Sequence, residues 1–137
     1  MGSSFRHRVR VRYSDCDPQG VLFFANHLTY FDIAITELWR EAIGPYGDMI
    51  DAGVDIVVAE AALRYRAPVP FDDEIEVSAE VIRLGTTGMT TRLQILRGGE
   101  VASEGELRHV FVTAGGNEKR EIPDEIRAGL EPYLAAD

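Results

Sequence analysis

The residues best suited to chemistry lie in a short polar loop that runs directly into a long apolar segment. The loop holds Asp15 and Asp17 together with Pro18 and Gly20, and large apolar residues follow from Val21 onward. A carboxylate beside a helix start, where solvent gives way to core, is tuned by those surroundings to act as a general base or a nucleophile. Asp17 is therefore the best catalytic candidate. The spacing alone also fits a turn in which both carboxylates accept hydrogen bonds from backbone N–H groups.

Three neighbouring residues are weaker candidates. Cys16 would have to react as a thiolate, and the carboxylates on either side of it raise the pKa of a thiol, so a small buried side chain is the better interpretation. His27, at the start of the predicted helix, is the second candidate for a base, although a histidine there more often faces solvent or fills the first turn. Tyr13, at the end of a predicted strand on its apolar side, either hydrogen-bonds a catalytic carboxylate or is a core tyrosine.

A metal ion and a cofactor are not expected. A calcium loop that starts at Asp15 needs suitable oxygen ligands at its fifth and twelfth positions, where this chain has Gln19 and Asn26, and Pro18 stiffens the fourth. The histidines lie on separate predicted elements, which does not fit the ligand spacing of a zinc site. These histidines are His7, His27 and His109.

The segment after the loop predicts a long buried helix that ends near Ile43. Apolar residues recur at steps of three and four from Phe31 to Ala42, and further apolar residues widen this stripe to more than half of the circumference. Gly44 and Pro45 end the helix, because glycine accepts the left-handed conformation and proline cannot continue the hydrogen-bond ladder. A helix of this kind belongs in the centre of a core.

The remaining segments predict an antiparallel sheet. Apolar residues alternate with arginines over residues 5–13, and a solvated sheet face is a better interpretation of these arginines than a phosphate groove. One apolar helix against one face of a curved five-stranded sheet is an α+β arrangement, and its exposed sheet edges predict a dimer. Further strands are predicted at residues 56–67, 74–84, 89–97 and 100–113, with a helical turn at 46–52, hairpin loops at 85–88 and 98–99, and a short helix after Pro123.

Composition narrows the classes of protein that fit. The 137 residues predict one domain over residues 1–137. The net charge of -9 argues against binding to nucleic acid or to an anionic membrane, because the field of the protein would repel both. The single cysteine excludes a disulfide within the chain, and the lack of an apolar leader or a long apolar run predicts a cytoplasmic protein.

Two stretches resemble the acyl-CoA thioesterases of the 4-hydroxybenzoyl-CoA thioesterase family. The first is Tyr13-Ser-Asp-Cys-Asp-Pro-Gln-Gly-Val-Leu-Phe-Phe-Ala-Asn, followed by Tyr30-Phe-Asp, and the second runs from Arg64 to Val77. The resemblance covers nearly the whole chain. It implies a hotdog fold, in which the sheet wraps the long helix, and a homodimer or homotetramer with sites at the subunit interface. It also implies hydrolysis of an acyl-CoA substrate.

The resemblance assigns roles to individual residues. The family's catalytic aspartate falls on Asp17, and a backbone N–H at the start of the long helix, that of Phe24 or its neighbour, falls against the thioester oxygen. A helix N-terminus suits that role because it offers unpaired donors and partial positive charge. Asp17 would then attack the thioester carbonyl or activate a water molecule that does. The residues expected around the substrate are Gly20, Phe23, Asn26, Arg83, Thr86 and Thr87, with Tyr13 beside the catalytic carboxylate.

The chain departs from the family pattern at two places. Some members carry a histidine at the position of Phe24, so in this chain the base must be Asp17 itself. The basic cluster that holds the CoA phosphates in the 4-hydroxybenzoyl-specific enzymes would fall at residues 85–88, where this chain has Gly-Thr-Thr-Gly. Contacts to phosphate would then come from backbone amides, hydroxyls and Arg83. A noncatalytic acyl-CoA binding protein, a thioesterase for acyl carrier protein and a hotdog dehydratase are alternatives, the last without a matching motif at His27 or His109.

Overall fold

The computed structural model describes residues 5–136, and its central feature is one antiparallel sheet of five strands. The strands lie in the spatial order β1-β3-β4-β5-β2, and every neighbouring pair is antiparallel. Two strands, β3 and β5, have the bounds that the alternation of apolar residues predicts. The strands are β1 (Phe5–Arg10), β2 (Val54–Tyr65), β3 (Glu74–Leu84), β4 (Gly88–Arg97) and β5 (Glu100–Thr113).

One long helix packs against this sheet. Its apolar stripe is buried, and the ring of Trp39 lies 6.1 Å from that of Phe111 on β5. Burial of such large side chains contributes about 2 kcal/mol each, so the helix and the sheet stabilise each other. The helices are α1 (Asn26–Ala42), α2 (Tyr46–Asp51) and α3 (Asp124–Leu130), with short 3-10 turns at Tyr13–Asp15 and Glu131–Tyr133. The predicted α+β class and the long buried helix are confirmed.

The first strand is shorter than the alternation predicts, and Tyr13 is not a core residue. β1 ends at Arg10, because the backbone N–H of Arg12 donates to the hydroxyl of Tyr30 at 3.1 Å and the chain then turns into the 3-10 segment. Tyr13 is 77% exposed, and its ring contacts that of Phe71 edge-on at a centroid distance of 5.4 Å. The prediction that Tyr13 faces the apolar side of the sheet is therefore wrong.

The two edges of the sheet differ in chemistry. The arginines of β1 lie on a solvated face and pair with carboxylates of β3, as predicted for a charged surface. Apolar side chains in the middle of β2 are instead open to solvent, with Val58 55% and Val57 39% exposed. A long edge strand with exposed apolar side chains is a surface that another chain can pair with. The ion pairs between β1 and β3 are Arg6–Glu76, Arg8–Glu74 and Arg10–Glu74, and Arg10 also pairs with Asp72 of the loop before β3.

Candidate active site

Asp15 fastens the polar loop to α1. Its side chain is buried, with Oδ2 accepting hydrogen bonds from the Tyr30 hydroxyl at 2.7 Å and from Nε of Arg12 at 2.9 Å. Burial raises the pKa of Asp15, but the hydrogen bonds from Arg12 and Tyr30 outweigh that effect and hold the pKa below its usual value. The buried acid of the loop is therefore Asp15, and it holds the loop in place rather than capping backbone amides.

Asp17 lies two residues further on, half-buried in a tight turn. Its Oδ1 accepts a hydrogen bond from the backbone N–H of Gln19 at 2.9 Å, and the N–H of Val21 lies 3.5 Å from the same oxygen. Gly20 has a φ of 79°, which glycine adopts without strain, and its N–H donates to the Asp17 carbonyl. Oδ2 of Asp17 accepts no hydrogen bond from any residue between 5 and 136. One carboxylate oxygen thus orients the side chain, and the other is open to a ligand.

The segment between this loop and α1 leaves two backbone donors unused. The N–H of Phe23 donates to the Asp15 carbonyl at 3.0 Å, and the N–H of Asn26 donates to the Phe23 carbonyl at 2.8 Å. The N–H groups of Phe24 and Ala25 donate to no acceptor within the described part of the chain, and the N-cap residue supplies no side-chain hydrogen bond. Free donors at the start of a helix of 17 residues form a site that attracts negative charge.

Exposed aromatic rings surround the loop. Phe24 is 62% exposed, and its ring lies 4.8 Å from that of Phe23, which is also exposed. Phe71 donates its N–H to the Gly20 carbonyl, so this exposed residue also lies beside the loop. Exposed apolar groups gathered at one place mark a surface that binds a ligand or a partner.

The other residues predicted for this site have different environments. Asn26 donates from its amide nitrogen to the Asp15 carbonyl at 3.0 Å, so it holds the loop against the helix. Tyr13 makes no hydrogen bond to a carboxylate among residues 5–136. The tyrosine that donates a hydrogen bond to a carboxylate is Tyr30, and its acceptor is Asp15. The spacing of the sequence does not predict this pair.

His27 is a buried structural residue. Its Nδ1 lies 2.7 Å from Oγ of Ser103 on β5, and its ring contacts that of Tyr65 edge-on at 4.8 Å. Burial lowers the pKa of His27 to about 4, so the imidazole is neutral at pH 7. Of the two structural interpretations of this histidine, the one in which it faces solvent is wrong, because a partner 76 residues away in sequence holds it in the core.

The residues predicted to contact phosphate line a groove at the end of the sheet opposite the Asp17 loop. The groove has a volume of about 330 Å³, and Arg83 at its edge forms no ion pair in the part of the chain described here. Arg10 of β1, near the Asp17 loop, pairs with Glu74, and Leu84 beside the groove lies ten residues further along β3. At about 3.3 Å per residue, the path along β3 between the two regions is about 33 Å long. The groove is lined by Arg83, Gly85, Thr86, Thr87, Gly88, Met89, Thr90 and Arg108.

A second cavity lies between α1 and the edge strand β2. Its volume is about 270 Å³, and His109, 2% exposed, is buried against it with no hydrogen-bond partner for Nδ1. Burial lowers the pKa of His109, and the nearby carboxylate of Asp32 partly opposes that effect. His109 lies on the buried face of β5, and the spacing of the sequence does not predict this cavity. The cavity is lined by Asp32, Ile35, Thr36, Tyr46, Ile56, Val58 and His109.

The structure gives no support to Cys16 or to a bound metal ion as the reactive group. Burial raises the pKa of the Cys16 thiol, and the charges of Asp15 and Asp17 raise it further, as expected from the sequence. Within residues 5–136, no group of three or more histidine, cysteine, aspartate or glutamate side chains is arranged to hold a metal ion.

No helix in the same range has the length and apolar character needed to cross a membrane.

Comparison with known proteins gives consistent matches over most of the chain. Residues 11–130 match the model of the thioesterase-like superfamily. The acyl-CoA thioester hydrolase YbgC of Escherichia coli O6:H1 is 29% identical over 90% of this chain and 93% of its own length. The 1,4-dihydroxy-2-naphthoyl-CoA hydrolase of Synechococcus sp. CC9605 is 28% identical over 88% of this chain and 85% of its own length.

The solved structures include a similar fold at a similar level of identity. A thioesterase superfamily protein from Jannaschia sp. CCS1 is 28% identical, covers 98% of this chain and 95% of its own, and superposes with a TM-score of 0.91. The sheet order and the long helix described above therefore correspond to the hotdog fold that the family resemblance implies.

Proposed function

The chain belongs to the thioesterase-like superfamily and is a thioester hydrolase, and we propose that Asp17 and the first residues of α1 form its catalytic centre. The observation that carries this proposal is the unpartnered Oδ2 of Asp17 in the same short segment as the unused N–H groups of Phe24 and Ala25. A nucleophile or base and an oxyanion binder are the two components that acyl transfer requires.

The proposed reaction has two possible routes. As a general base, Asp17 accepts a proton from water while the water oxygen attacks the thioester carbon, and collapse of the tetrahedral intermediate breaks the C–S bond. As a nucleophile, Asp17 attacks that carbon itself, and water then hydrolyses the resulting anhydride. In both routes the N–H of Phe24 donates to the carbonyl oxygen as it gains charge, a contribution worth about 10²–10³ in rate. CoA leaves as the thiolate.

The neighbouring residues would shape the acyl end of the site. Gly20 permits the tight turn that exposes the loop backbone, and Asn26 holds that loop against the helix. We propose that Phe23 and Phe24 contact the acyl group through their exposed rings. Tyr13 remains a predicted site residue at the edge of this surface, in contact with substrate rather than with Asp17.

The proposed substrate is an acyl-CoA, with an acyl carrier protein thioester as the alternative. The names of the relatives support CoA, and the groove at Arg83, Thr86 and Thr87 offers a cation, hydroxyls and backbone groups that suit phosphate. In one chain this groove and the Asp17 loop lie at opposite ends of β3. We propose that the groove of one copy serves the Asp17 of another. A cytoplasmic location remains a prediction.

The proposed assembly is a homodimer, or a tetramer of two dimers, that pairs through β2. Changing Val58 to glutamate puts a charge on this exposed apolar edge, and at a two-fold interface the charge occurs twice, so we expect the mass in solution to fall to the 15.2 kDa of one chain. Light scattering coupled to size exclusion measures the mass.

The matched control for this experiment is His7→Glu, which adds the same charge to the opposite edge strand β1 and should leave the assembly and the activity intact. A wild-type mass of one chain, or dissociation by His7→Glu and not by Val58→Glu, contradicts pairing through β2.

The test of the proposed activity is release of free thiol from a panel of short, long and aromatic acyl-CoAs. Hydrolysis of at least one of them at a kcat above about 0.1 per second is expected, within two orders of magnitude of the median enzyme. Tight binding without thiol release supports the noncatalytic alternative instead. If only thioesters of acyl carrier protein are hydrolysed, the substrate is an acyl carrier protein thioester and not an acyl-CoA.

A further inference from the structure

Tyr65, the last residue of β2, reaches across to the start of α1. Its hydroxyl donates to the backbone carbonyl of Phe24 at 2.7 Å, although the two residues are 41 apart in sequence. Its ring also contacts the ring of Phe24 edge-on at 6.4 Å and that of His27 at 4.8 Å. His27 in turn is held by Ser103, the partner of Tyr65 in the β2–β5 ladder. The tyrosine is thus fixed from two sides.

The acceptor of this hydrogen bond belongs to the peptide unit that precedes the helix. The carbonyl of Phe24 and the N–H of Ala25 form one planar peptide group, so a bond to the carbonyl fixes the direction of that N–H. The contact from the N–H of His27 to the same carbonyl is long, at 3.4 Å, which leaves the Tyr65 hydroxyl as the close partner. A peptide whose carbonyl accepts a hydrogen bond is polarised and becomes a better donor at its N–H.

The preceding peptide unit is fixed in the same way. The carbonyl of Phe23 accepts from the N–H of Asn26 at 2.8 Å, which orients the N–H of Phe24. The two unused donors at the start of α1 are therefore each held by a bond to the carbonyl of their own peptide. One bond comes from the helix itself, and the other comes from Tyr65 on the edge strand.

We propose that Tyr65 is a positioning residue for the oxyanion site, which aims and polarises the Ala25 N–H beside that of Phe24. This inference rests on the proposed function. It adds the Ala25 N–H to the oxyanion site as a second donor, and it gives β2 a role in positioning that donor. Tyr65 is 48% exposed, and its partial burial raises the pKa of the hydroxyl, which therefore keeps the proton that it donates at neutral and moderately alkaline pH.

The test is the variant Tyr65→Phe, which removes only the hydroxyl. The oxyanion exists in the transition state and not in the bound thioester, so we expect kcat to fall about tenfold while KM changes less than about twofold. The thermal midpoint and the mass in solution should stay at the wild-type values, because the ring contacts remain. A second readout is the ¹³C shift of the carbonyl in a bound ketone analogue of acyl-CoA, with CH₂ in place of sulfur, which should move toward its value in water.

The matched control is Tyr133→Phe, which removes a tyrosine hydroxyl that donates to Glu41, away from the Asp17 loop. It should change neither kcat nor the ¹³C shift. A Tyr65→Phe enzyme with kcat within twofold of wild type, or one whose KM and thermal midpoint change along with kcat, overturns the positioning role. If the proposed site itself is wrong, Asp17→Asn also retains turnover, so the two failures are distinguishable.

Discussion

Replacing Asp17 with asparagine should lower kcat by about 10³-fold, in the middle of the range that a positioned proton acceptor contributes. The amide keeps an oxygen that can accept the hydrogen bond from the Gln19 N–H, so the turn survives, but it removes the negative charge from the atom facing the substrate. KM and the thermal midpoint should therefore change little. Steady-state thiol release from the best acyl-CoA of the panel measures the effect.

Asp72→Asn is the matched control for this prediction. Asp72 is an exposed loop residue with a φ of 69°, a conformation that asparagine tolerates well, and it lies beside Phe71 at the same end of the sheet. The control has the same change of charge, and its kcat should stay within about twofold of wild type. An Asp17→Asn enzyme that works within a few fold of wild type would show that another group performs the chemistry.

Acidification should destabilise the protein by about 2 kcal/mol between pH 7 and pH 4.5 through His27 alone. The folded protein lowers the pKa of this imidazole from 6.5 to about 4 by burial, so the unfolded chain binds the extra proton first as the pH falls. The stabilisation is therefore fully present above pH 6.5 and is lost toward pH 4. The buried His109 has a pKa shifted in the same direction and adds to the slope.

Urea unfolding at a series of pH values measures this effect. The variant His27→Gln can keep a hydrogen bond to Ser103 and cannot take up the proton, so its free energy of unfolding should fall by about 2 kcal/mol less than that of wild type over the same window. The lowered pKa of Asp15 acts below pH 4, outside this window, because that carboxylate loses its charge only there. His7→Gln on β1 is the control. Parallel curves for wild type and His27→Gln would show that the imidazole is not held neutral.

Much of the fold follows from local pattern. The period of the apolar residues predicts α1, and the alternation predicts β3 and β5 to the residue, because each element buries one face against the same core. The end of β1 could not be predicted in this way. It depends on the hydroxyl of Tyr30, which takes the N–H of Arg12 out of the sheet and turns Tyr13 toward solvent.

In the candidate site, too, the features formed by neighbours in sequence could be predicted, and those that depend on distant residues could not. The turn at Asp17 and Gly20 is built from neighbours in sequence, so the pattern of the loop is enough to find it. The different roles of Asp15 and Asp17 are decided by Tyr30, which binds the first and leaves the second free. The contact of Tyr65 with Phe24 joins residues on a strand and a helix start that no spacing rule connects.

The most direct measurement is a crystal structure of the Asp17→Asn variant with an uncleaved acyl-CoA. The thioester oxygen should lie within about 3.2 Å of the Phe24 nitrogen, a hydrogen-bond distance, and the carbonyl carbon should lie about 3.5 Å from the side chain at position 17, within reach of attack. A thioester bound elsewhere, with its carbonyl out of reach of both groups, would contradict hydrolysis at this loop.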